Sequence, residues 1–274
     1  MLKQRVITAL ILGFVVILSI FLLPDPLWGV LIGAIVAFAV HEWCALVKIG
    51  RVGQGVLSAL CVLPVLYVAI MPPGAIEDLP FLLGALYVVC LSFWLFSVPT
   101  FLYFRIEPVG WYWRFFAPVL MFVAAGMALL ELRRASPWLV LAAILLVSIA
   151  DIAAYFTGRA FGRRKLAPQI SPGKTWEGVA GAVVAVLVFC ALLWQFVPVV
   201  QATVGIATVL VFAIVAVALS VMGDLYESLL KREAGVKDSG SVLPGHGGVL
   251  DRIDAMLAFL PFAGAALLFL QMLN

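Results

Sequence analysis

The sequence predicts an all-α polytopic membrane protein of about nine transmembrane helices, with a cytosolic N-terminus and its polar loops on the cytosolic side. Three observations carry this prediction. The 274-residue chain is 65% hydrophobic and 11% charged, where a soluble domain carries roughly 45–50% apolar and about 25% charged residues. So thin a charge cover excludes a soluble globular fold and intrinsic disorder alike. The apolar runs each last about 17–22 residues, enough for a helix to cross a hydrocarbon core of about 30 Å and too long for barrel strands. The basic residues cluster in alternate connections, as the positive-inside rule requires.

The candidate spans are 6–23, 27–47, 55–71, 80–98, 115–132, 137–158, 178–197, 202–222 and 254–273. The first follows Lys3 and Arg5 as a secretion signal would. Pro24-Asp25-Pro26 stands where a small-residue cleavage site would be, so the segment reads as a retained anchor. The second carries His41 and Glu42 one to two turns from its inner end. The third and seventh are almost wholly apolar. The fourth is aromatic-rich and ends somewhere between Trp94 and Phe104. The sixth contains Asp151, the eighth ends at Asp224 and the ninth opens at Asp254. Residues 1–132 thus form an N-terminal group of about five helices. Residues 133–274 form a C-terminal group with two large loops, 159–177 and 223–253.

With the N-terminus inside, fifteen of the 17 basic residues fall in inner connections. Arg133 and Arg134 are the misfit, which reads as a fifth span that is tilted, short or partly re-entrant. Cys44, Cys61, Cys90 and Cys190 lie scattered in apolar runs without CxxC spacing. They read as small hydrophobes, neither a disulfide framework nor a metal cage.

An ionisable group at the bilayer centre costs roughly 2.5–3.5 kcal/mol, so each one inside a span asks for a function. Asp151, Asp224, His41 and Glu42 all fall at the same depth on the inner side. Asp224, Glu227, Ser228, Lys231 and Arg232 share one helical face. Read plainly, that face is a solvated helix end with an i,i+4 Glu227–Lys231 pair. After it, Lys237-Asp238-Ser239-Gly240 and Gly245-His246-Gly247-Gly248 place four glycines in nine residues. Such a stretch cannot be helical and exposes backbone N–H groups suited to anions. Asp251 and Asp254 flank the next span, where either can serve as an N-cap.

The other loop holds Arg163-Arg164-Lys165, which retains the loop inside and attracts anionic lipid. It also holds Ser171-Pro172-Gly173-Lys174-Thr175. Gly173-Lys174-Thr175 looks like the tail of a P-loop. That motif needs glycine at position 168, where Pro168 stands, and a flanking strand that the pattern does not show. What remains is a donor-rich turn before a helix N-terminus, a place that favours phosphate. Together the two loops combine carboxylates for a hard cation, fixed positive charges and a glycine loop. That set suits phosphoryl or nucleotidyl transfer. With two histidines a metal–histidine cage is excluded, and without GxSxG or HExxH the set suits acyl transfer or proteolysis poorly.

From Ser228 to Asp254 the chain resembles the signature of the phosphatidate cytidylyltransferases, or CDP-diacylglycerol synthases. The matching positions are Ser228, Lys231-Arg232, Lys237-Asp238, Gly240, Leu243-Pro244, His246-Gly247-Gly248 and Asp251-Arg252-Ile253-Asp254. Asp151 with Tyr155, Gly158 and Phe161-Gly162 is also similar to the family, as is Ser171-Pro172 with Lys174 to Gly178. Glu42-Trp43 adds weakly. The resemblance implies an enzyme that condenses CTP with phosphatidic acid to give CDP-diacylglycerol and pyrophosphate. It implies Mg²⁺, alone or together with a second cation, a homodimer, and no nucleic-acid partner. The setting it implies is a bacterial inner membrane with the active site facing the cytosol.

The same resemblance suggests roles. Asp224, Lys231, Asp251 and Asp254 form the catalytic set. Asp224 and Asp251 hold the metal, with Asp254 as third candidate; Asp151 is a further ligand or orients Lys174. Lys231, Arg232 and Lys237 face the triphosphate. Ser171, Lys174 and Thr175 bind CTP or the lipid phosphate, and Ser228, Gly247, Gly248 and Arg252 complete the substrate set. His246 either donates to a phosphate or locks the loop. Three rivals share parts of this pattern. A cytidylyltransferase for another lipid phosphate has the same layout. The CDP-alcohol phosphotransferases need a DG-x2-AR run that is missing. A transporter needs polar groups through the full depth and matching broken helices, whereas the polarity here is one-sided.

Overall fold

The computed structural model describes residues 13–104, 110–242 and 247–273. Lys3, Arg5, Arg105, Leu243, Pro244 and His246 lie outside the described residues, as does the start of the first predicted span. Helix α1 (Gly13–Leu22) is followed by eight helices that are long and apolar enough to cross a membrane. These are α2 (Asp25–Leu46), α3 (Arg51–Ile70), a continuous segment Leu79–Phe104, α6 (Trp111–Ala135), α7 (Pro137–Phe161), α8 (Trp176–Phe196), α10 (Ile206–Glu233) and α11 (Leu250–Leu273). Each predicted span from the second to the ninth overlaps one of them.

Local chemistry sets the ends. Pro26 occupies the first turn of α2, where a missing N–H costs nothing, and Asp25 meets the positive end of the helix. Ser136 caps α7, its hydroxyl accepting from the Trp138 N–H at 3.3 Å. The segment Leu79–Phe104 is α4 (Leu79–Ser92), a π-helical turn (Phe93–Ser97) and α5 (Val98–Phe104). Pro99 follows the turn and cannot donate to a carbonyl four residues back, so the wider turn relieves its ring. Among the described residues the fourth span is helical as far as Phe104.

Helix α6 is the central element. It packs on α2, α3, α4, α7 and α11, and its residues from Leu120 to Leu130 are nearly all buried. At 25 residues it is neither short nor re-entrant. The two arginines at its end are accommodated differently from the expectation. Arg133 pairs with Asp25 at 2.6 Å, donates through Nε to the Ile20 carbonyl at 2.9 Å and also reaches the Leu23 carbonyl. Its guanidinium lies 5.3 Å from the centre of the Trp28 ring. Arg134 donates to the carbonyls of Val68 at 2.7 Å and Met71 at 2.9 Å, at the end of α3. The polarity of the bundle is therefore two-ended, and this second cluster is spent on joining helix ends.

The C-terminal helices form a second layer, with α7 against α8 and α10 against both α8 and α11. Between α7 and α8 the chain makes an antiparallel hairpin of β1 (Lys165–Ala167) and β2 (Ser171–Thr175). The donor-rich segment is thus a strand that runs directly into a helix, not a turn. A short helix α9 (Pro198–Thr203) links α8 to α10.

Candidate active site

Glu42 near the end of α2, Asp151 on α7, strand β2, the last turns of α10, the segment after it and the first turns of α11 meet at one end of the bundle. This is the end opposite Asp25 and Arg133. Thr175 closes β2 and caps α8, its hydroxyl accepting from the Gly178 N–H at 3.1 Å. It is buried, so this predicted substrate contact is a capping residue. Glu177, in the first turn of α8, accepts from the N–H groups of Arg163 and Arg164 at 3.1–3.2 Å and anchors the hairpin.

The ionic groups form two tiers. In the accessible tier, the Lys174 ammonium meets Asp224 Oδ2 at 2.5 Å, with the side chains 23% and 32% exposed. The Ser228 hydroxyl donates to Asp224 Oδ1 at 3.2 Å. Asp151 lies within electrostatic reach of Asp224, Lys174 and Arg252. Asp254 lies within reach of Asp224, Glu227 and Lys174. Negative charge outnumbers positive here. Among the described residues, no group of three metal-ligating side chains is preassembled.

In the buried tier, Lys231 bridges Glu227 and Asp251, and its ammonium is 2.6 Å from Asp251 Oδ1. The Glu227 and Asp251 side chains are only 4% and 7% exposed. The i,i+4 pair expected from the sequence is present, but it is core rather than a solvated helix end. Asp251 Oδ2 accepts from the N–H groups of Ser239 at 2.9 Å and Gly248 at 2.8 Å. Asp251 and Asp224 therefore belong to different tiers.

The glycine-rich segment also departs from its expected form. Helix α11 begins at Leu250, so Asp254 lies inside it and Asp251 in its first turn. The N–H groups of Val249 and Leu250 point at the Glu42 carboxylate, at 3.0 and 2.7 Å. The N–H groups of Ser239, Gly248, Val249 and Leu250 are thus taken by carboxylates and form no open anion nest. Gly247 takes a left-handed φ of +81° that favours glycine. Gly240 and Gly248 leave room for Glu42, since a Cβ at either would lie within 2.4 Å of a carboxylate oxygen.

Of the remaining predicted residues, Arg252 lies within electrostatic reach of Asp151. Ser171 is half-buried in β2, and Lys237 and Arg252 are exposed. Arg232 is exposed, with Nε donating to the Ile170 carbonyl at 3.2 Å. The sequence marked Glu42 as an ionisable group inside a span and Ser239 as part of the glycine-rich stretch, but assigned neither a role in the site.

The profile of the cytidylyltransferase family matches residues 3–270. The chain is 38% identical over 277 residues to a phosphatidate cytidylyltransferase of Pseudomonas aeruginosa, covering 97% of each chain. It is 35% identical over 285 residues to a phosphatidate cytidylyltransferase of Haemophilus influenzae, covering 96% of this chain and 97% of that one. Similarity to the Thermotoga maritima protein of the same description is 34% over 267 residues, or 95% and 94% of the two chains.

Proposed function

The chain belongs to the cytidylyltransferase family, and on that premise we propose that it condenses CTP with phosphatidic acid to give CDP-diacylglycerol and pyrophosphate. The observation that carries this reading is the accessible Lys174–Asp224 pair. It stands with Asp151, Asp254 and Arg252 at one end of a bundle of membrane-length helices.

In the reaction, a phosphatidate oxygen forms a bond to the α-phosphorus of CTP. The bond from that phosphorus to the β-bridging oxygen breaks, and pyrophosphate leaves with the electron pair. The attacking oxygen is already an anion, so the step needs no strong base, in keeping with a site poor in histidine. The difficulty is bringing two anions together, and positive charge held in place reduces it. Lys174 supplies an ammonium within the accessible tier. Arg252, within reach of Asp151, adds an exposed charge for the triphosphate, and Arg232 and Lys237 are exposed candidates for the same role.

The donor set fits Mg²⁺. Asp151, Asp224 and Asp254 offer hard carboxylate oxygens, and Mg²⁺ is commonly held by one or two carboxylates plus substrate phosphates rather than by an all-protein cage. When bound, the ion would neutralise charge on the phosphates and the leaving pyrophosphate. The same reading sets the site on the cytosolic face of a bacterial inner membrane. Support for that orientation comes from the basic residues, fifteen of 17 of which fall in connections assigned to one side. A homodimer is carried over from the family resemblance.

The test uses membranes containing the protein, phosphatidic acid, Mg²⁺ and CTP labelled on its α-phosphate. CTP-dependent label in the lipid extract, lost with chelator and absent with ATP or GTP, is the expected result. No label in lipid would overturn the reading.

A further inference from the structure

We propose that Glu42 is a positioning residue, which holds the two ends of the glycine-rich segment together and so sets Asp251 and Lys231 in place. The proposal rests on reading this end of the bundle as the CTP and phosphatidate site. Glu42 is 2% exposed, and a carboxylate so deeply buried persists only where donors surround it. Three donors do. The Val249 N–H reaches Oε1 at 3.0 Å, and the Leu250 N–H and the Ser239 hydroxyl reach Oε2 at 2.7 and 3.1 Å. Two of the three are N–H groups at the start of α11, which helix geometry leaves unpaired and where the macrodipole favours negative charge. Glu42 thus caps α11 from a helix more than 190 residues earlier in the chain.

A second carboxylate joins the same two stretches. Asp251 Oδ2 accepts from Ser239 and Gly248, and its Oδ1 meets Lys231. Glu42 contacts backbone and Ser239, so its influence on the reaction runs through Asp251 and Lys231. Gly240 and Gly248 complete the fit, as a side chain on either would collide with the Glu42 carboxylate.

Glu42→Gln keeps the shape but leaves one carbonyl oxygen and turns an NH₂ toward an N–H donor. The segment is then in place in only a fraction of molecules, and apparent affinity falls by that fraction. The expected result is a KM for CTP raised about tenfold, with kcat at saturating CTP within about twofold of the unsubstituted protein. Glu42→Asp, which keeps both oxygens, should recover part of the loss, and Ser239→Ala should show a smaller rise. Amide hydrogen exchange at Ser239, Gly248, Val249 and Leu250 should quicken in Glu42→Gln and slow again with CTP.

A fall in kcat at unchanged KM would mean that Glu42 acts on the reacting groups and would overturn the proposal. A lower thermal midpoint with both constants unchanged would overturn it too, leaving Glu42 as scaffold. If Glu42→Gln fails to fold, Glu42→Asp and Ser239→Ala carry the same KM-against-kcat comparison. If the unsubstituted protein puts no CTP label into lipid, the reading of the site fails. Exchange measured without nucleotide still decides whether Glu42 holds the segment, and unchanged exchange would refute it.

Discussion

Replacing Lys231 with methionine tests whether the buried tier holds the C-terminal helices together. Methionine keeps much of the stem's volume and removes the charge. Lys231 lies between Glu227 and Asp251, whose side chains are 4% and 7% exposed. Deleting one partner of a buried ionic group costs about 3–5 kcal/mol, because the charges left behind are uncompensated. Asp251 keeps its two N–H donors from Ser239 and Gly248, which points to the lower end of that range. A chain of this size shifts its thermal midpoint by about 2–4 °C per kcal/mol. The expected fall is therefore roughly 6–12 °C, read by tryptophan fluorescence in detergent. Adding Glu227→Gln to the methionine variant should restore most of it, since one uncompensated charge is removed. Lys174→Met is the contrast. Its pair with Asp224 is 23% and 32% exposed, and the expected loss is under about 1 kcal/mol. A midpoint unchanged in Lys231→Met would refute the assignment, as would a double variant no more stable than the single one.

Other outcomes follow from the same geometry. Asp224→Asn should lower kcat/KM for CTP on the order of 100-fold, with a thermal midpoint close to that of the unsubstituted protein. Thr175→Val removes the cap of α8 and should cost about 1 kcal/mol, seen as a lower midpoint and faster amide exchange at Gly178. Arg133→Gln leaves the Ile20 and Leu23 carbonyls without their charged donor and Asp25 with only the more distant Arg134, at 3.7 Å. It should destabilise the fold by about 2–3 kcal/mol while KM for CTP stays unchanged, because the change lies at the far end of the bundle.

The membrane class and the membrane-length helices from α2 onward were legible because bilayer thickness turns hydropathy directly into span length. The face shared by Asp224, Glu227, Ser228 and Lys231 was legible from helical spacing alone. Its burial was not, since burial depends on what packs against it, and Asp251 arrives from another helix twenty residues later. The same limit hid the purpose of Glu42, whose partners lie near the other end of the sequence. Local pattern marked Gly240 and Gly248 as turn formers, but the space they leave is for a side chain that no local pattern contains. Arg133 and Arg134 misled for a related reason. Charge counting treats every arginine as exposed to the solvent, whereas these two terminate helices of their neighbours.

The two ends of the bundle are completed at different moments of synthesis. Arg133 and Asp25 both lie within the first 135 residues, so their pair can close while the chain is still emerging. Glu42 is inserted early as well, yet Ser239, Val249 and Leu250 arrive only with the last span. Until then α2 carries an acidic group without those three donors, which is costly at the edge of the bilayer. Chains truncated before α11 should therefore be short-lived even though most of their spans are already in the bilayer.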